Sequence, residues 1–165
     1  MAFFFVISIT TFVISCHQNH NMKKIIVEEV NITDSVDVIE PPPPHLKQSF
    51  KKLEDWLVNI CDSGRPKKPV SFYAIGLFES REDRALFLVG MSKSGNNETI
   101  VFQPKNMYFM LPPDEYKDLK KEQLDVKLVN QLTDFFKTKY FSDSFLSRAD
   151  SILFRGKTLI WSKPH

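Results

Sequence analysis

Apolar side chains follow a helical period over residues 47–62, where Phe50, Leu53, Trp56, Leu57, Ile60 and Cys61 recur three and four positions apart. That stripe predicts a four-turn amphipathic helix with Trp56 buried against the rest of the domain. Asp62-Ser63-Gly64 closes it, Gly64 being free to take a left-handed cap and Pro66 preventing resumption. Cys61 lies on the stripe, which predicts a buried, inert thiol. The period then changes. Residues 70–79 and 84–91 are rich in β-branched and aromatic side chains and are joined by polar Ser80-Arg81-Glu82-Asp83, the pattern of a hairpin. Phe72, Ala74 and Phe78 alternate with Tyr73, Ile75 and Leu77, so both faces are apolar and these strands belong at the centre of a sheet covered on both sides. If Glu79 pairs with Arg84, Gly76 falls opposite Phe87 and Gly90 opposite Tyr73, each glycine beneath a cross-strand ring.

Ser94-Gly95-Asn96-Asn97 is a turn leading to a strand at 99–102, and Gln103-Pro104-Lys105-Asn106 leads to another at 107–111, continuing a meander that Pro112-Pro113-Asp114 stops. A second helix over 122–140 carries Leu124, Leu128, Val129, Leu132, Phe135, Phe136 and Tyr140 on one face. Residues 151–155 and 158–162 flank Gly156-Lys157, which predicts a closing hairpin with a two-residue turn. The order helix, meander, helix, hairpin specifies an α+β fold with a mainly antiparallel sheet packed with two amphipathic helices.

Upstream of that domain the pattern is different in kind. Residues 1–15 are uncharged and mostly apolar, shorter than the roughly 20 apolar residues a membrane span needs, and they end at a small residue. Such a run predicts an export signal. Its end, Val13-Ile14-Ser15-Cys16, resembles the lipobox of bacterial lipoproteins. That resemblance implies cleavage before Cys16, diacylation of its thiol, and a chain held to the membrane through a lipid anchor in the bacterial cell envelope, on its periplasmic or surface side. Residues 16–44 are the expected tether. Within it residues 25–30 and 36–39 alternate as an edge strand would, and Pro41-Pro42-Pro43-Pro44 is an extended, stiff polyproline spacer. Residues 45–165 form the single α+β domain.

Composition narrows the chemistry. With Cys16 acylated, Cys61 has no partner, so stability must come from packing, for which 15 Phe in a chain 42% hydrophobic provide the material. Net charge is +2, but residues 22–40 set two lysines against five carboxylates, a local charge of −3, and residues 45–165 carry +5. The basic residues are interspersed with acids, which predicts a mixed solvated surface; Arg65, Lys67 and Lys68 form the loop most suited to an acidic partner. An exported chain without an aromatic-basic RNA motif is not expected to bind nucleic acid. The histidines, His17, His20, His45 and His165, all lie outside or at the margins of the expected fold, so neither a metal site nor a histidine-based triad is predicted. Dispersed glycines form no phosphate cradle, and no cofactor is expected. Glu79, Glu82, Asp83, Asp114 and Glu115 leave a carboxylate-based hydrolase as the enzymatic alternative.

The lipobox-like residues, the linker, and a helix preceding a meander that carries Phe72-Tyr-Ala-Ile-Gly-Leu-Phe78 together resemble small toxin-immunity and inhibitor lipoproteins. The resemblance implies a binding module whose partner is another protein, a toxin in the immunity class, and it assigns no partner-contacting residue. A structural or assembly lipoprotein of the envelope is the other non-enzymatic reading. Stable anchoring takes two acyl chains, so fatty acid supplied to a bacterial host should label the protein at Cys16 and hold it in the membrane fraction. Cys16→Ala should abolish both. A wild-type chain without label would contradict the anchor.

Overall fold

The computed structural model describes residues 39–43, 46–47, 49–80 and 83–164. The signal, Cys16 and most of the tether lie outside the described residues. The order of elements is helix α1 (Leu53–Asp62), strands β1 (Phe72–Glu79), β2 (Arg84–Ser94), β3 (Asn97–Phe102) and β4 (Tyr108–Met110), helices α2 (Pro113–Tyr116), α3 (Lys121–Phe136) and α4 (Lys139–Asp143), a 3₁₀ turn (Leu146–Arg148), and strands β5 (Ser151–Phe154) and β6 (Thr158–Ser162). The strands make one six-stranded sheet in the order β3-β2-β1-β5-β6, with β4 also on β2. Every pairing is antiparallel except β1 with β5. The fold is α+β, as the sequence predicts.

The central hairpin has the expected register. Glu79 pairs with Arg84, Gly76 with Phe87 and Tyr73 with Gly90. A Cβ on Gly76 would sit 2.0 Å from Phe87 Cζ, and the ring has little room to retreat because Phe78 packs on it at 4.9 Å. A Cβ on Gly90 would meet Phe102 Cβ at 2.9 Å, Val70 Cγ2 at 3.0 Å and Tyr73 Cε1 at 3.1 Å. The turn between the strands is closed by Ser80 and Asp83, whose backbones bond at 2.8 Å while Ser80 Oγ accepts from Asp83 N–H.

All the described helices lie on one face. There Leu53, Trp56, Leu57 and Ile60 of α1, Leu124, Leu128 and Leu132 of α3, and Phe141 of α4 join Tyr73, Ile75, Leu86 and Leu88 from the sheet in one core. Trp56 is fully buried, stacks on Phe109 at 5.8 Å, and donates its indole N–H to the Asn106 carbonyl. The opposite face holds a smaller apolar cluster of Ala74, Phe78, Phe87, Val89 and Met91.

Several expectations shift, each for a local reason. The first helix starts at Leu53, not at residue 47: Lys52 is extended at φ −124°, and Glu54 and Asp55 occupy the first turn, where acids match the positive end of the helix dipole and Lys51 and Lys52 would not. Phe50 still packs on the core from the extended segment. Ser63 makes the C-terminal cap, and Gly64 follows at φ +125°, positive as expected but outside the left-handed helical region. The second helix breaks at Lys137. Thr138 Oγ1 accepts from Phe141 N–H and starts α4, which turns Tyr140 outward, so that Tyr140 is exposed and bonds Asp62 instead of joining the buried stripe. Strands β3 and β4 do not pair with each other in a meander. They share one edge of β2, β3 at Gly90–Ser94 and β4 at Ala85–Phe87, because β2 is eleven residues long and the register shifts between Gly90 and Met91. The closing turn centres on Arg155 and Gly156, at φ +50° and +67°, one residue earlier than the pattern predicts.

The glycine-aromatic register is directly testable. Gly76→Ala should cost about 1–3 kcal/mol by overpacking, and combining it with Phe87→Leu should cost less than the two changes summed. A double-mutant cycle of denaturation free energies checks this, and strict additivity would show that the ring does not confine Gly76.

Candidate functional site

The sheet register determines which loops share an end. Phe72 pairs with Met91 and with Ser151, and Ser151 pairs with Ser162, so the entries to β1 and β5 and the exits from β2 and β6 lie together. Ser71 ties them. Its N–H donates to the Met91 carbonyl at 2.7 Å, its carbonyl accepts from Asp150 N–H at 2.8 Å, and its Oγ accepts from Lys93 N–H at 3.1 Å. Asp150 in turn accepts from Lys163 N–H at 3.0 Å. These bonds hold the four connections as one surface.

That surface is basic. Residues 63–71, 92–98, 147–150 and 162–164 contain Arg65, Lys67, Lys68, Lys93, Arg148 and Lys163, against Glu98 and Asp150 alone. The local charge of +4 is most of the +5 carried by residues 45–165. Lys93 pairs with Glu98 across the β2–β3 hairpin at 4.0 Å, whereas Arg65, Lys67, Lys68, Arg148 and Lys163 make no ion pair among the described residues. Arg65, Lys67, Lys68, Arg148 and Lys163 are exposed. Sequence reasoning marks Arg65, Lys67 and Lys68; it misses Lys93, which follows from the register of β1 with β2, and Arg148 and Lys163, which only the pairing of β5 with β1 and β6 brings here.

The opposite end is compensated. Arg155 is largely buried and donates through Nε and Nη2 to Asp125 Oδ1 at 3.0 and 2.9 Å, and through Nη2 to Glu79 Oε2 at 3.1 Å. Arg84 Nε lies 3.5 Å from Glu79 Oε1, and its Nη1 donates to the Tyr116 and Leu119 carbonyls. This cluster joins β1, β2, α2, α3 and the β5–β6 turn. It also accounts for the displaced turn, since a residue other than glycine is held at positive φ where its guanidinium reaches two carboxylates.

Two of the carboxylates considered for hydrolysis, Glu79 and Glu115, are held by cations. Glu79 sits between two arginines. Partial burial acts to raise the Glu115 carboxyl, but the Lys127 ammonium at 3.0 Å, with bonds from Gln131 and Tyr116, outweighs it and holds the group below its usual range. That is the reverse of what a general acid requires. Asp114 is exposed on α2, and Glu82 lies outside the described residues, as do His17, His20, His45 and His165. Among the described residues no group of three or more His, Cys, Asp and Glu is placed to hold a metal ion. Cys61 is half-buried and unpaired; burial raises its thiol despite a bond from Ser144, so it is a poor nucleophile. A depression of about 600 Å³ is lined by Glu122, Val126, Lys127, Asn130 and Asp134 among others, all from α3, and thus has a single wall.

No protein-family model, curated protein or solved structure matches the chain. No helix among the described residues is long and apolar enough to cross a membrane.

Proposed function

We propose that this chain is a lipid-anchored bacterial envelope protein that binds another protein through the basic end of its sheet. The observation that carries this reading is the contrast between the two ends: ion pairs compensate one, while the other presents five cations without an ion pair among the described residues, on loops tied together through Ser71. A surface of uncompensated charge on a fixed scaffold accelerates and orients docking of an oppositely charged protein, and it needs neither a cavity nor a catalytic group. The export signal and the lipobox-like Val13 to Cys16 support placement in the envelope, with Cys16 as the lipidated residue. The resemblance of the N-terminal residues and element order to toxin-immunity lipoproteins is consistent with a protein as the partner.

The test uses the processed chain with Cys16→Ser and the envelope protein it captures. Lys67→Glu with Lys68→Glu should weaken the complex about tenfold or more, chiefly by slowing association, and raised salt should do the same to the unchanged protein. Lys157→Glu, at the compensated end, should leave binding unaltered. Equal losses at both ends would remove the basic end from the interface. Turnover of a glycan or peptide that is abolished by Glu79→Gln or Glu115→Gln would replace the binding reading with the hydrolase.

A further inference from the structure

Free charge and exposed apolar surface are separated on this domain. Among the described residues the exposed large apolar side chains are Leu46, Val126, Tyr140 and Leu159, and none belongs to the connections that form the basic end. Arg65, Lys67, Lys68, Arg148 and Lys163 stand exposed there, without an ion pair among the described residues. The backbone beneath them is fixed. Ser71 bonds to Met91, Lys93 and Asp150, and the Asp150 carbonyl accepts from Lys163 N–H.

This composition bears on what the end can hold. A protein complex owes its lifetime largely to apolar and aromatic side chains at the centre of the interface, while charge mainly speeds and orients its formation. A plane of anionic headgroups asks for charge alone: each Lys or Arg that reaches it raises the partition about fivefold, with neither a cavity nor an apolar contact. The basic end supplies cations and no apolar anchor, which suits the headgroup plane. A lipid anchor at Cys16 keeps that plane within the tether's reach, so a modest affinity is enough.

We propose that, until a protein partner arrives, the basic end lies against the anionic phospholipid headgroups of the bilayer. The inference rests on the reading of this end as the protein-binding surface and adds its regulation, since bilayer and partner compete for the same cations. The compensated end, where Glu79 and Asp125 meet Arg84 and Arg155, then faces away from the membrane. An acidic partner lifts the domain off the bilayer, and the anionic lipid content of the membrane sets how readily it does so.

The experiment uses the processed chain with Cys16→Ser and no partner, so it depends neither on acylation nor on the protein complex, and each reading can fail without the other. The chain is sedimented at low salt with vesicles of phosphatidylglycerol mixed with phosphatidylcholine, and with vesicles of phosphatidylcholine alone. Binding to the mixed vesicles only is expected, with release as salt rises. Lys67→Glu with Lys68→Glu should lower the partition about tenfold or more. Asp150→Asn, which removes one of the two acids at this end, should raise it severalfold, a gain that no folding defect would produce. Lys117→Glu with Lys157→Glu makes the same change in net charge beside the compensated end, where the Tyr116 carbonyl accepts from Arg84 and the Arg155 turn lies, and should alter the partition by about twofold or less. Absence of binding to the mixed vesicles, equal binding to neutral ones, or equal losses from the two double variants would overturn the proposal. So would release by inorganic phosphate beyond that by chloride at matched ionic strength, which would assign the cations to a discrete phosphate site.

Discussion

At Gly76 the ring of Phe87 occupies the space that any other residue would need for its Cβ, and at Gly90 the same is true of Phe102, Val70 and Tyr73 together. This pair of close approaches depends on one register of β1 with β2. A slip of one residue would invert every side chain on the strand and move two glycines out from under their rings. The register in turn aligns Tyr73, Ile75, Leu86 and Leu88 toward the helices and Ala74, Phe78, Phe87 and Val89 toward the second face. Both apolar layers, and the loops gathered at each end of the sheet, follow from it.

The charge arrangement follows as well. Parallel pairing of β5 with β1 brings the Arg155 turn beside Glu79 at one end, where α3 contributes Asp125. At the other end the same pairing brings Arg148 and Lys163 beside the loop that carries Arg65, Lys67 and Lys68, with no equivalent supply of acids. Buried and half-buried charges need partners, whereas cations on solvated loops do not, so folding constrains the first cluster and leaves the second available for recognition. Separation of stabilising charge from unpaired charge suits a binding module.

The hairpin was legible because local pattern and tertiary packing agree there: alternation sets the strands, Glu79 and Arg84 set the pairing, and each glycine needs its ring. Trp56 was legible because a single helical stripe admits one buried face. What the pattern could not show depends on competition between distant segments. Nothing local distinguishes a β4 that pairs with β3 from one that pairs with the free lower edge of β2, and Arg155 at positive φ is intelligible only once Asp125 and Glu79 are beside it. Part of the basic surface is hidden for the same reason, since Arg148 and Lys163 reach it only through the pairing of β5 with β1 and β6. By period alone the α3 stripe continues through Tyr140, and the Thr138 cap that breaks it carries no signal in that pattern.

The central claim is that β1 and β2, sealed on both faces and locked by glycine against ring, are the last part of the protein to open. Native-state hydrogen exchange of the processed chain measures this residue by residue. The account predicts that amides of Ile75, Gly76, Leu88 and Val89 exchange only through global unfolding, with the highest protection in the chain, and that α4 and the β6 edge exchange earlier. Rapid exchange in β2 through local opening, while α1 and α3 stay protected, would contradict it.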